Sequence, residues 1–254
     1  GSLVLGSGVG MKLRKASEGR FIRVETVLTV GGSIRSGNSD PFIVTTNQTV
    51  SPSPRVMVLL SGEVHAPGKV TSPQGRQDAA APTARSAGET LTMTLKVTDK
   101  YWNTLVSSQP QVSIDLADIA TDPYLTSISS TSPVLYFGSA TVTAEVRTAG
   151  SWTIKVTGAG LVPNSANPST AVTVNPNTLT HLLARFPGET RKEGKKDVEP
   201  KGKDGTPTAL LAGTTITIAA YGTDDWYNTV PSASILVSLE TPLDLGDIHP
   251  VAKN

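Results

Sequence analysis

Thr98-Asp99-Lys100-Tyr101-Trp102-Asn103-Thr104 follows the alternating run Leu91-Thr92-Met93-Thr94-Leu95-Lys96-Val97 and precedes a second run, Val112-Ser113-Ile114-Asp115-Leu116. The unit occurs twice. Thr223-Asp224-Asp225-Trp226-Tyr227-Asn228-Thr229 follows Thr215-Ile216-Thr217-Ile218-Ala219-Ala220 and precedes Ile235-Leu236-Val237-Ser238-Leu239, with its first residue 125 positions after Thr98. Alternation of apolar and polar residues is the period of a half-buried strand. Asp and Asn between two such runs mark a tight turn, because their side chains accept from nearby backbone N–H groups. Strand, corner, strand is therefore the repeating unit.

The repeat extends outward from the corner. Ala81-Pro82-Thr83-Ala84 with Ala87-Gly88 returns as Thr206-Pro207-Thr208-Ala209 with Ala212-Gly213, and Leu59-Leu60-Ser61-Gly62-Glu63 returns as Arg185-Phe186-Pro187-Gly188-Glu189. Upstream, Gly19-Arg20-Phe21-Ile22-Arg23-Val24 matches Gly150-Ser151-Trp152-Thr153-Ile154-Lys155-Val156, and Asn38-Ser39-Asp40-Pro41 matches the stretch ending in Asn167-Pro168. A period this long means tandem domains rather than a short-period solenoid. Residues 1–50 correspond to the C-terminal part of a repeat, 51–175 to a complete one, and 176–254 to the N-terminal part of the next. Three arrangements satisfy this phase. The chain is a window on a longer tandem array, or its ends complete a neighbouring copy by strand complementation, or the two parts close within one chain. The array is the preferred of the three.

The expected strands of the complete unit are Arg55–Leu60, Thr90–Val97, Trp102–Val106, Gln111–Leu116, Val134–Arg147 in one bent or two separate pieces, Ser151–Thr157 and Thr170–Asn175. About seven short strands with turns between them predict an all-β fold of antiparallel sandwiches; an open barrel satisfies the same periodicity. The 254 residues suffice for about two domains. They carry 22 Lys and Arg against 21 Asp and Glu, a net charge of +1, which argues against a nucleic-acid partner held by a basic surface. No apolar run approaches the length of a membrane helix, and the first residues, Gly1-Ser2-Leu3-Val4-Leu5-Gly6, lack the features of a signal peptide. Cysteine is absent, so disulfides, thiol nucleophiles and thiolate metal sites are excluded.

The order of these motifs resembles bacterial immunoglobulin-like repeats of the invasin/intimin type. It is closer still to tandem repeats of very large bacterial surface proteins, which carry a Pro-Gly-Glu segment, a Thr-Pro-Thr-Ala segment and an Asp-x-x-Trp-Asn corner. The matching residues are Pro187-Gly188-Glu189, Thr206-Pro207-Thr208-Ala209, and Asp99 with Trp102-Asn103. Ser61 replaces the proline in the first unit, and Trp226-Tyr227 reverses the aromatic order of Tyr101-Trp102. The resemblance implies immunoglobulin-like sandwiches in an extracellular or cell-surface protein. It implies neighbouring copies or adjacent repeats as partners, and no catalytic residues or cofactor.

Candidate sites are weighed against plainer readings. Asp99, Trp102, Asn103, Asp224, Trp226 and Asn228 are expected to be structural corner residues. Two oxygens per corner are too few for calcium. Trp102 and Trp226 have rings a surface glycan would stack on, which makes an adhesin or carbohydrate-binding module the alternative function, whereas one aromatic of each pair is expected to anchor the core or the corner. Trp152 is expected in the core, with Phe21 as its counterpart. Asp115, Asp118, Asp122, Glu240, Asp244 and Asp247 form loose acidic stretches expected to be solvated strand ends. Residues 189–204 mix six cations with five carboxylates. Such a balance describes a solvated loop, and its length points to packing on an adjacent domain or subunit. His65, His181 and His249 lack metal-ligand spacing, Asn47-Gln48-Thr49 is a formal glycosylation sequon, and no nucleophile elbow or phosphate loop occurs.

Overall fold

The computed structural model describes residues 12–25, 36–46, 54–108, 110–115, 124, 127–162, 171–231, 234 and 236–240. Among these residues the regular structure is entirely β, in seventeen short strands. The leading segment holds β1 (Ser17–Arg20), β2 (Arg23–Glu25), β3 (Ser36–Asn38) and β4 (Phe42–Val44). There β1 pairs with β4 and β2 with β3, both antiparallel.

The central body contains β5 (Arg55–Leu60), β6 (Arg85–Ser86), β7 (Thr90–Thr98), β8 (Val112–Asp115), β9 (Ser127–Ile128), β10 (Ser139–Glu145), β11 (Gly150–Trp152), β12 (Lys155–Gly158) and β13 (Val172–Asn175). β7 is its axis. Leu91, Met93, Leu95 and Val97 are buried while Thr92, Thr94 and Lys96 are half-buried, as a period of two dictates. Pairing across β7 preserves the faces. Val56 stands opposite Val97 and Val58 opposite Leu95 on one side, and Val142 opposite Met93 on the other. The sheet order is β5-β7-β10-β9.

A second layer, β6-β13-β11 and β12-β8, brings Val172, Val174, Ile154, Val156, Val112 and Ile114 to the same core. Its pairing is antiparallel except between β6 and β13. β5 is apolar from Val56 to Leu60 because both its faces are covered. Val56, Val58 and Leu60 join the main core, while Met57 and Leu59 pack on Trp102 behind it. Each such side chain contributes about 1.5–3 kcal/mol on burial.

Two expectations are corrected, and a third is narrowed to its two-piece form. Trp102–Val106 is not a strand; a single Thr98–Thr104 bridge closes the corner, with Trp102 at φ 66°. Val134–Arg147 is interrupted by a turn at Tyr136–Ser139, with Phe137 at φ 50° and Gly138 at φ 72°, so that only Ser139–Glu145 joins the sheet. Ser151–Thr157 divides because β11 pairs with β13 and β12 with β8, changing partner between them.

In the trailing segment β14 (His181–Arg185) pairs with β17 (Ala219–Thr223), and β15 (Glu189–Arg191) with β16 (Lys203–Gly205). Leu182 faces Gly222 as Val56 faces Val97. Residues 215–218, expected to continue the alternating strand, have no strand pairing.

Candidate functional site

Each corner is built by its aspartate. Asp99 Oδ1 accepts the N–H groups of Tyr101 (2.8 Å) and Asn103 (2.9 Å), and the Trp102 N–H donates to the Asp99 carbonyl (3.0 Å). Asp224 repeats this with Trp226 (2.9 Å), Asn228 (2.9 Å) and Tyr227 (3.0 Å). Burial of all four Asp and Asn side chains is affordable because each is hydrogen-bonded.

The asparagines do more than close the turn. Asn103 Nδ2 donates to Asp99 Oδ2 (2.9 Å) and to the Arg14 carbonyl (2.8 Å), while its Oδ1 accepts the Ala16 N–H (2.8 Å). Asn228 Nδ2 donates to Asp224 Oδ2 (2.9 Å) and to the Arg147 carbonyl (2.8 Å), while its Oδ1 accepts the Ala149 N–H (2.8 Å). Both corners thus make the same bonds to a stretch of backbone more than 75 residues earlier. The task requires one side chain with both donor and acceptor, and a planar primary amide meets it where a carboxylate cannot. Asp224 Oδ2 also accepts the Asn177 N–H (2.8 Å), and Asn177 Nδ2 reaches the Ala87 carbonyl (3.4 Å). The segment joining β13 to β14 is therefore held at both sides.

The aromatics divide the work by position. Trp102 turns inward beneath Met57 and Leu59. Its counterpart Tyr227, at φ 62°, stacks on His181 with ring centroids 5.2 Å apart. Trp226 turns toward the central body and packs against its core. The ring covers Gly88 so closely that a Cβ there would collide with the indole. Arg147 lies 4.0 Å and Lys196 4.5 Å from the Trp226 ring centroid. Tyr101, at the matching position, has Lys12 at 5.6 Å and Lys100 at 5.2 Å. The reversed aromatic order thus exchanges which ring is buried and which spans two segments.

The charged loop 189–204 lies on the central body. Asp197 pairs with Arg147 (2.5 Å) and Gly194 packs against Thr148, while Lys196 pairs with Asp225 of the loop's own segment. In the earlier loop, Gly68 packs against Lys15 in the same way. These contacts fit the expectation that the loop packs on an adjacent segment. Trp152 is half-buried on the core and donates to the Thr148 carbonyl (3.0 Å). Phe21, expected to match it in a core, is 55 % exposed.

Sequence reasoning missed one pair of groups. Glu63 Oε2 accepts the Leu60 N–H (2.8 Å), and its Oε1 lies 3.1 Å from Arg76 Nε, with both side chains buried. Arg76 Nη2 then donates to the Val58 carbonyl (2.7 Å). Glu189 and Lys203 repeat this (2.9 Å), with Phe186 donating to Glu189 and Lys203 to the Ala184 carbonyl. The recurring Gly-Glu was the visible half of the signal. The cation lies beyond a dissimilar loop and changes from Arg to Lys, so no common motif marked it.

Several groups bear on pH. The Phe186 N–H, and then Lys203, hold the Glu189 carboxyl below its ordinary range, and Lys196 and His181 do the same for Asp225. Their stabilisation is present above the ordinary carboxylate range and is lost as pH falls through the lowered values. His65 sits with Nε2 2.7 Å from the Trp102 carbonyl. Burial lowers its pKa from 6.5, opposed by that hydrogen bond and assisted by Lys96 and Arg76. Between the folded value and 6.5 the unfolded chain binds more protons, so stability is full above 6.5 and declines as pH falls below it. A thermal melt of the central body is expected to weaken from that pH downward. His65→Gln should flatten this limb and leave the carboxylate limb at lower pH intact.

Among the described residues, no three His, Asp or Glu side chains are grouped to hold a metal ion. Glu240 is exposed; Asp118, Asp122, Asp244, Asp247, His249 and Asn47, and the side chain of Asp115, lie outside the described residues. No described helix is long and apolar enough to cross a membrane.

No family model matches the chain, and no curated protein does. Among solved structures, domains 4 and 5 of the S-layer protein SbsC are 18 % identical at a TM-score of 0.26, covering 61 % of this chain and 75 % of that one. Domains 5–6 of the same protein are 14 % identical at a TM-score of 0.26, covering 76 % and 81 %. A likeness at these values is too slight to assign this chain a fold or a role.

Proposed function

We propose that this chain is a structural building block, a run of immunoglobulin-like β-sandwiches with a period of about 125 residues locked in series. In this reading residues 1–50 end one sandwich, 51–175 form the next, and 176–254 begin a third. The assembly is an extracellular fibre, stalk or surface layer and performs no catalysis. The location and the sandwich family rest on the motif resemblance of the Asp-x-x-Trp-Asn corner, the Pro-Gly-Glu segment and the Thr-Pro-Thr-Ala segment.

The observation that carries the reading is the doubled clasp. Asn103 holds Arg14 and Ala16 with the bonds by which Asn228 holds Arg147 and Ala149. A turn needs only the Asp and its backbone bonds. An amide directed at a distant segment fixes the angle between consecutive units, and fixed angles make a rod rather than a flexible chain. A glycan stacked on Trp226 would compete with Gly88, Arg147 and Lys196 for the same ring, so this geometry lends that role no support.

Electron microscopy of the native material tests the proposal. A fibre or layer with an axial repeat of one or two sandwich units is expected. Dispersed particles with freely varying angles between units would contradict it.

A further inference from the structure

The three-residue stretches that the asparagines hold are gripped a second time. Asn103 bonds the Arg14 carbonyl and the Ala16 N–H, and Gly68 faces the residue between them, Lys15. Asn228 bonds the Arg147 carbonyl and the Ala149 N–H, and Gly194 faces the residue between them, Thr148. The chain bends at both middle residues, two positions before β1 in one case and two before β11 in the other. Gly68 and Gly194 take φ of 84° and 78°, and a Cβ on either would collide with that middle residue.

The loops that carry these glycines look dissimilar in sequence but are folded alike. The Ala66 N–H donates to the Gly75 carbonyl (2.8 Å) as that of Lys192 does to Gly202 (2.8 Å). The Gly75 N–H donates to the Lys69 carbonyl (2.9 Å) as that of Gly202 does to Lys195 (2.8 Å). Lys69 reaches Asp78 at 2.8 Å and Lys195 reaches Asp204 at 2.5 Å, bracing each loop. Each loop is also fixed to its own corner. Gly75 lies against the Trp102 ring and Gly202 against that of Tyr227, so near that a Cβ would strike the ring. A loop held in this way is ordered before anything docks on it, which lowers the entropic cost of docking.

We propose that loop and corner form a preformed slot with two jaws for the bend of the preceding unit, and that Gly68 and Gly194 seat its middle residue. This rests on the reading of the asparagine as a joint and adds the second jaw. The asparagine bonds backbone alone, so the seating of a side chain falls to the glycine. At Gly194 the nearest atom is the Thr148 hydroxyl, which is buried and has no hydrogen-bond partner among the described residues. Shape therefore makes the fit there. At Gly68 the nearest atoms are the Cβ of Lys15 (2.8 Å) and its backbone Cα and N (2.9 Å each).

Amide hydrogen exchange on the full chain tests the second jaw. In Gly194→Ala the Ala149 N–H is expected to exchange about tenfold faster, the scale of a usual overpacking penalty, with the β7 amides still protected. Gly213→Ala imposes a similar φ of 84° with nothing within 4 Å of the new methyl, so it should leave Ala149 protected. Adding Thr148→Ala to Gly194→Ala should restore protection, because the next atom, Thr148 Cβ, lies 3.3 Å from the added Cβ. Lys15→Ala should not restore the Ala16 N–H in Gly68→Ala, where the struck atoms are Cβ and backbone. Thr148→Phe enlarges the seated residue, leaves the loop unaltered and should free Ala149 as well. Slow exchange of Ala149 in both Gly194→Ala and Thr148→Phe, or a double variant that exchanges as fast as Gly194→Ala, would overturn the proposal. The asparagine joint would still stand in that event if Asn228→Ala exposed the same amide.

Discussion

Arg76→Ala is expected to lower the unfolding free energy of the central body by about 3–5 kcal/mol, the usual cost of removing one partner from a buried ion pair. The guanidinium is buried against Glu63 at 3.1 Å and holds the Val58 carbonyl at 2.7 Å. Burial lowers its pKa and Glu63 opposes that shift. Without it, the buried Glu63 carboxylate loses the cation 3.1 Å from its Oε1. The pair is costly to break but need not be a large net source of stability. Glu63→Leu combined with Arg76→Met should therefore recover most of the loss. Urea denaturation followed by fluorescence of Trp102, which packs behind the same strand, measures both. A double variant as unstable as Arg76→Ala would show that the pair, rather than an unpaired charge, carries the energy.

Asn228→Ala is expected to cost about 3 kcal/mol, since it strips partners from a buried carboxylate, a carbonyl and an N–H, each worth roughly 1–3 kcal/mol when left unmatched. The loss should appear as uncoupling, with the trailing segment melting separately from the central body. Asn228→Asp is the sharper test. It keeps the acceptor for Ala149 but loses the donor to Arg147, and it places a second carboxylate where the amide sits 2.9 Å from Asp224 Oδ2. Two carboxylates so close cannot both ionise cheaply. This variant should be at least as unstable as Asn228→Ala at neutral pH and should regain stability in mild acid, as the pair takes up a shared proton that restores a donor. Differential scanning calorimetry across pH separates the two variants; identical profiles would contradict the clasp chemistry.

The axis of the fold was plain in the sequence because β5 and β7 obey simple rules. β7 alternates against one core, and β5, covered on both faces, reads as continuous apolar residues. The other strands were blurred where backbone geometry overrides side-chain pattern. Trp102 and Phe137 take positive φ in segments that look extended, and β11 and β12 form one alternating run whose pairing partner changes midway. At the corner, turn chemistry was legible from Asp and Asn, but a turn motif fixes only local bonds. The second donor and acceptor of Asn103 and Asn228 end on backbone atoms of Arg14, Ala16, Arg147 and Ala149. Backbone atoms are the same for every residue type, so no sequence signal marks them. Trp226 was read as a corner aromatic, but the glycine it covers lies in the central body and carries no signal of that contact. An aromatic at a turn resembles a ligand platform until the glycine beneath it is placed.

The repeated asparagine holds a backbone stretch of the preceding segment. Residue-resolved amide hydrogen exchange tests it at two atoms. The Ala149 N–H should exchange slowly in the unaltered protein, and fast in Asn228→Ala, with the β7 amides still protected; the Ala16 N–H should respond in the same way to Asn103→Ala. Fast exchange of both amides in the unaltered protein, or slow exchange that survives both substitutions, would contradict it.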